Sequence, residues 1–113
     1  MSAELYLSRD ELTKLQNKYP GRVPVILSRA KSSDIPELPK RKFIVPRDLT
    51  LGQFMFVVRK HLTLPPEKAL FLFINNTLAP TSVAIFELYA AHMCNDGALH
   101  MTYASESAFG STI

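Results

Sequence analysis

His92, Cys94, Asp96 and His100 fall within nine residues, HMCNDGALH, the densest set of potential metal ligands and nucleophiles in the chain. A thiolate beside an imidazole is what a cysteine nucleophile needs, and the same groups with a carboxylate are zinc donors. The spacing suits neither chemistry. There is no C-x-x-C or H-x-x-x-H pair, and His92 falls at a predicted helix end while His100 falls in a predicted strand, so the donors would converge only by tertiary accident. They read as turn and packing residues, and neither a metal nor a cofactor is expected. Lys40, Arg41 and Lys42 followed by Phe43 combine cations with a ring that could stack on a base. Three basic residues are more simply a solvated strand face without the platform of a dedicated reader, so no nucleic acid is expected. With no glycine-rich phosphate loop and no carboxylate pair at catalytic spacing, the chain is not expected to be an enzyme.

The elements that position these groups are marked by local signals. Ser8 with Glu11 is a capping box and Leu7 with Leu12 a hydrophobic staple, so a helix is predicted to begin here. Leu12, Leu15 and Tyr19 share its apolar face, and Pro20-Gly21 ends it. Residues 23–29 are β-branched and apolar, with Val23, Val25 and Leu27 alternating; Pro24 is easiest to place on an edge or at a strand start. Residues 31–39 hold two prolines, two serines and two acids and make a loop, after which residues 40–46 form a second strand and complete a hairpin. Thr50 with Gln53 is a second capping box and Leu49 with Phe54 a second staple, ahead of Leu51, Phe54, Val57, Val58, His61 and Leu62 at helical spacing. Pro65-Pro66 closes that helix. Residues 69–74 suit a buried strand, Asn75-Asn76 a turn, Ile85, Leu88, Tyr89 and His92 a third helix, Asp96-Gly97 another turn, and residues 98–103 the last strand.

A hairpin followed by a helix that crosses back to a mostly buried sheet is the order of an α+β, ubiquitin-like β-grasp fold, here with an added N-terminal helix. The predicted division is a helical extension over residues 1–22, the β-grasp core over 23–104 and a small polar tail over 105–113. A chain of 113 residues with 47% hydrophobic and 20% charged residues makes one globular domain. Its longest strongly apolar run, residues 69–74, is far short of a spanning helix, and the charged N-terminus does not read as a signal peptide, so a cytoplasmic protein is expected. The single cysteine is consistent with a reducing compartment. Residues 1–47 carry a net +5 and residues 48–113 a net −2, a bias that suits an acidic peptide, an anionic lipid surface or nucleic acid about equally.

Four segments say more. KYPGRVPVI (18–26), SDIPELPKRKFIVPRDLTLGQF (33–54), LPPEKALFLFINNTLAPT (64–81) and TYASESAFG (102–110) resemble, in the same order, the ubiquitin-like autophagy modifiers of the GABARAP-like family; the resemblance runs from Lys18 to Gly110. It implies a protein that is itself a substrate. Such a chain is trimmed after a C-terminal glycine by an autophagy cysteine protease and passed as a thioester between ubiquitin-like activating and conjugating enzymes. It is then joined by an amide bond to phosphatidylethanolamine of the autophagosomal membrane. Gly110 is the matching lipid-conjugation residue, and Ser111, Thr112 and Ile113 are the piece removed. Lacking a Cβ, glycine threads a narrow channel and leaves its carboxyl carbon unhindered. Phe71, Phe73, Phe109 and Gly110 are implied in protease recognition.

The resemblance also implies a dock for cargo receptors and autophagy factors bearing a short aromatic-x-x-aliphatic motif, which adds a strand to the exposed edge of the second strand. Its aromatic pocket would be lined by Glu11, Leu15, Pro24, Ile26, Lys42 and Ile44, with Ala98 standing where an aromatic residue usually closes the wall. The aliphatic pocket would be lined by Phe43, Val45, Pro46, Leu49, Phe54 and Val57. Arg22, Lys40 and Lys42 would attract acidic residues flanking the motif. Besides Ala98, the chain departs from the family's pattern in a shorter N-terminus, in His61 at a position commonly basic, and in Pro39 just before the edge strand. The alternative is an unconjugated ubiquitin-fold interaction module for trafficking or cytoskeletal partners, which would keep its C-terminus.

Overall fold

Both capping boxes close. In the computed structural model, which describes residues 8–31 and 34–105, Ser8 Oγ accepts the Glu11 N–H at 3.1 Å while the Glu11 carboxylate accepts the Ser8 N–H at 3.0 Å. Two of the four orphan donors of a helix start are thereby satisfied, and α1 (Arg9–Lys18) follows. Thr50 and Gln53 do the same for α2 (Leu51–Leu62), at 3.2 and 2.9 Å. Leu7 of the predicted first staple, the rest of the N-terminus, and Phe109 and Gly110 lie outside the described residues.

The strands β1 (Arg22–Arg29) and β2 (Lys42–Pro46) pair antiparallel, from Arg22 opposite Pro46 to Ile26 opposite Lys42. β1 also pairs in parallel with β5 (Leu99–Ala104), but only from Val25 onward. That explains Pro24, which sits inside a strand with neighbours on both sides. Leu27 N–H donates to Arg41 O on the β2 side and Ala30 N–H to Tyr103 O on the β5 side. Odd-numbered amides of β1 therefore face β2 and even-numbered ones face β5. An amide at Pro24 would point to the β5 side before that ladder begins, so no bond is lost.

β3 (Phe71–Ile74) pairs antiparallel with β5 and with a two-residue return strand, β4 (Thr77–Leu78), completing a sheet of order β2-β1-β5-β3-β4. β4 is absent from the sequence prediction. The turn that makes it was legible, since Asn75 and Asn76 both take positive φ, 54° and 62°, as a two-residue hairpin of the right twist demands. α3 (Ile85–His92) has no side-chain cap; its start is tied to that of α2 by Ile85 N–H to Leu49 O at 2.7 Å and Leu51 N–H to Val83 O at 2.9 Å.

The core lies on one face of this sheet. Val23, Val25, Leu27, Phe43 and Val45 meet Phe54, Val58 and Leu62 of α2 and Ile85 and Leu88 of α3. Tyr103 extends it, accepting the Leu38 N–H at 2.8 Å and so pinning the loop between β1 and β2; burial pushes its phenol pKa up. On the opposite face Leu12 and Leu15 of α1 pack over Ile26 and Ala98. That seat depends on Gly97, whose φ is +82° and whose added Cβ would lie 2.4 Å from Leu12 Cδ2. Gly97→Ala is expected to cost about 1–3 kcal/mol in chemical denaturation, mostly backbone strain, with Leu12 displaced. Gly21→Ala, which meets nothing within 4 Å, should be nearly neutral and serves as the control.

Candidate peptide-docking site

Being last in the sheet, β2 leaves one side of its backbone unpaired. Arg41 O, like the Phe43 and Val45 backbone groups of the same parity, is turned to β1, so the amides of Lys42 and Ile44 and the carbonyls of Lys42, Ile44 and Pro46 face outward. A row of unmet donors and acceptors is a template for another strand. Among the described residues β4 is the other edge, but it is only two residues long.

Beside the free edge a cavity of about 270 Å³ opens between α1 and the hairpin. Glu11, Leu15, Pro24, Ile26, Lys42 and Ile44, expected together from sequence, all line it. The alternation of β1 and β2 turns Pro24, Ile26, Lys42 and Ile44 to one face, and the apolar stripe of α1 roofs them. Tyr19 and Lys40 also line it. Helical spacing makes Tyr19 only the last member of the apolar stripe; its place as C-cap, before Pro20 turns the chain, is what swings its ring to the cavity.

The mouth is polar. Lys42 Nζ lies 3.0 Å from both carboxylate oxygens of Glu11. The Ser8 backbone amide, first, and then Lys42 hold the Glu11 carboxyl below the usual carboxylate range. Lys40 lies over the Phe43 ring at 5.4 Å, and at the other end of the strand pair Arg22 lies over Tyr19 at 5.4 Å. The three expected cations thus flank the edge, with the charge of Lys42 partly spent on Glu11.

Ala98 is a correction. It is 0% exposed, packed beneath Leu12 and Leu15, and does not line the cavity. Leu15, which packs over it, lines the cavity instead. The expected aliphatic group divides in two. Phe43, Val45 and Phe54 are 6%, 3% and 1% exposed and belong to the core, the two rings meeting edge to face at 5.8 Å, while Leu49 and Val57 are half-buried and Pro46 is exposed. Of the aliphatic group the last three offer the surface, while Phe43 also lines the aromatic cavity. Phe43 is likewise too buried to stack on a base, and its ring meets that of His61 edge to face at 5.4 Å. Phe73 is 2% exposed and Phe71 half-buried, packed with Ala30 and Ala104 on the sheet face opposite the main core.

The His/Cys/Asp group braces a turn. Asp96 accepts the Ala98 N–H at 3.1 Å and bonds His100 Nε2 at 2.9 Å, and Tyr89 donates to Gly97 O at 2.8 Å. Cys94 is exposed, its Sγ 3.9 Å from His92 O.

Comparison with known proteins matches residues 8–110 to the family described as "Autophagy protein Atg8 ubiquitin like". The chain is 48% identical over 103 residues to Autophagy-related protein 8 of Vanderwaltozyma polyspora, covering 91% of this chain and 87% of that protein. It is 47% identical over 110 residues to Autophagy-related protein 8b of Arabidopsis thaliana, covering 97% and 90%. Among solved structures it is similar to Trypanosoma brucei ATG8, with a TM-score of 0.84 at 40% identity over 90% of this chain and 88% of the other. It is also similar to Plasmodium falciparum Atg8, solved in complex with a Plasmodium falciparum Atg3 peptide, with a TM-score of 0.78 at 35% identity over 88% of each.

Proposed function

Because the chain belongs to the Atg8 family of ubiquitin-like autophagy proteins, we propose that it is a conjugated modifier whose edge strand recruits partners by strand addition. In this reading an autophagy cysteine protease removes Ser111–Ile113. Ubiquitin-like activating and conjugating enzymes then carry Gly110 as a thioester to phosphatidylethanolamine, and the protein passes from the cytoplasm to the autophagosomal membrane. No helix among the described residues is long and apolar enough to cross a membrane, so the attached lipid would supply the anchor. Once there, β2 takes aromatic-x-x-aliphatic segments of cargo receptors and autophagy factors. That a relative was solved in complex with an Atg3 peptide supports a peptide-binding surface on this fold.

The observation that carries the docking reading is the coincidence of a free edge with a cavity beside it. Backbone bonds along β2 give a peptide its grip, an aromatic side chain fills the space under α1, and an aliphatic one rests on Pro46, Leu49 and Val57. Hydrogen exchange tests it residue by residue. The Phe43 and Val45 amides, turned to β1, are expected to be protected with or without peptide, whereas those of Lys42 and Ile44 should exchange freely until a motif peptide is added and then slow by tenfold or more. Protection that spares Lys42 and Ile44 would place the peptide elsewhere.

A further inference from the structure

We propose that a second cleft, where β2 ends, seats acidic residues of a docked peptide just after its aliphatic anchor; this rests on the strand-addition reading above. With the aromatic cavity at the Lys42–Ile44 end of β2 and the aliphatic surface at Pro46 and Leu49, a bound segment runs parallel to β2. It therefore leaves past Pro46 and comes directly to Arg47. There a cleft of about 310 Å³ opens between the end of α1, the start of β1 and α3. It adjoins the aromatic cavity, since Tyr19 and Pro24 line both.

Two guanidiniums are held at this cleft over aromatic rings, Arg47 over Phe86 at 4.9 Å and Arg22 over Tyr19 at 5.4 Å. Arg47 is aimed from a fixed base: its N–H donates to Gly21 O at 3.3 Å and its carbonyl accepts the Phe86 N–H at 3.1 Å. Among the described residues no carboxylate lines the cleft, and Asp48 and Glu87, next in sequence to Arg47 and Phe86, are not among its walls. Neither arginine is ion-paired among the described residues. A planar guanidinium stacked on a ring loses little freedom on binding and presents its donor fork to a carboxylate. A lipid headgroup shares the anionic chemistry, but membrane attachment through charge uses clusters of roughly four to eight cations, whereas among the described residues Arg22 and Arg47 are the cations lining the cleft, with Lys18 beside them over the Tyr19 ring at 5.5 Å.

The test uses two peptides with one aromatic-x-x-aliphatic core, followed by Glu-Glu or by Gln-Gln, titrated on the full chain and on Arg47→Ala and Arg47→Lys. At low salt the Glu-Glu peptide is expected to bind about fivefold more tightly to the wild type. That advantage should fade at high salt, fall to less than twofold in Arg47→Ala and be partly kept in Arg47→Lys. Equal affinity of the two peptides, or an advantage untouched by Arg47→Ala, overturns the proposal while leaving the dock intact. If neither peptide binds, the strand-addition reading fails and takes this one with it. Sedimentation with phosphatidylserine vesicles provides the other arm: wild-type binding lost in Arg47→Ala, with the peptides unaffected, would make the cleft a headgroup site instead.

Discussion

A chain carrying Gly110→Ala is expected to keep its last three residues when incubated with the autophagy protease of its own cells, while the wild type loses Ser111–Ile113. Intact-mass measurement reads this directly. The expected slowing is about a hundredfold or more: a Cβ in a channel shaped for glycine displaces the scissile carbonyl, and a displacement near 1 Å costs roughly that factor. The effect extends to the membrane. Under the proposed conjugation, residence would rest on the two acyl chains of the attached lipid, and two chains anchor stably where one is marginal. A chain ending at Phe109 should therefore fall to background in membrane fractions. Undiminished membrane residence of that truncation would falsify the lipid-anchor reading, and the unconjugated interaction module would take its place.

What could be read from the sequence follows how local each signal is. Ser8/Glu11 and Thr50/Gln53 are legible because a capping box is complete within four residues, and both helices begin where it predicts. The β2-β1 hairpin and the apolar stripe of α2 are legible because a period of 2 or 3.6 repeats often enough to count. β4 fails that condition, since two residues hold no period; it exists because Asn75 and Asn76 turn the chain back onto β3. Strand order is also beyond a local signal. That β2 is an edge depends on β5, some fifty residues later, taking the other side of β1. Pro24 shows the same limit: its position in a paired strand is tolerated only because the β5 ladder starts one residue on.

The site divides in the same way. Six residues expected around the aromatic cavity are gathered there because strand alternation and a helical stripe, both local patterns, face each other. Ala98 was misplaced because its surroundings are tertiary. It has the parity of the α1-facing side, but whether it reaches the cavity is decided by Leu15 from a helix eighty residues earlier. The Arg47 cleft has no signal in the sequence. Arg47 reads as an ordinary polar residue between a strand and a capping box, and only the fold brings Phe86 beneath its guanidinium. A cation and a ring thirty-nine residues apart leave no spacing to notice.

The aromatic anchor of a docked peptide should dominate its affinity. An aromatic side chain that enters the cavity buries roughly 150–250 Å², worth about 4–6 kcal/mol at about 25 cal/mol per Å², before the costs of ordering peptide and protein. Replacing it by alanine in the peptide is expected to cost about 2–4 kcal/mol, or roughly 30- to 1000-fold in Kd. On the protein side Ile44→Glu should do comparable damage by placing a carboxylate in the wall, with little loss of stability because Ile44 is half-exposed on an edge strand. A tryptophan anchor adds on the order of 40 Å² over phenylalanine, an advantage of about fivefold if the cavity accepts it. Since Leu15 forms the wall, Leu15→Phe is the variant that should erase that preference. Ala98→Phe instead pushes a ring under α1, where overpacking costs about 1–3 kcal/mol of stability. Calorimetric titration of the paired peptides, with a denaturation curve for each variant, separates the two residues. A tryptophan preference that survives Leu15→Phe, or an alanine-for-aromatic peptide that binds within threefold of its parent, would show that the cavity under α1 is not where the anchor goes.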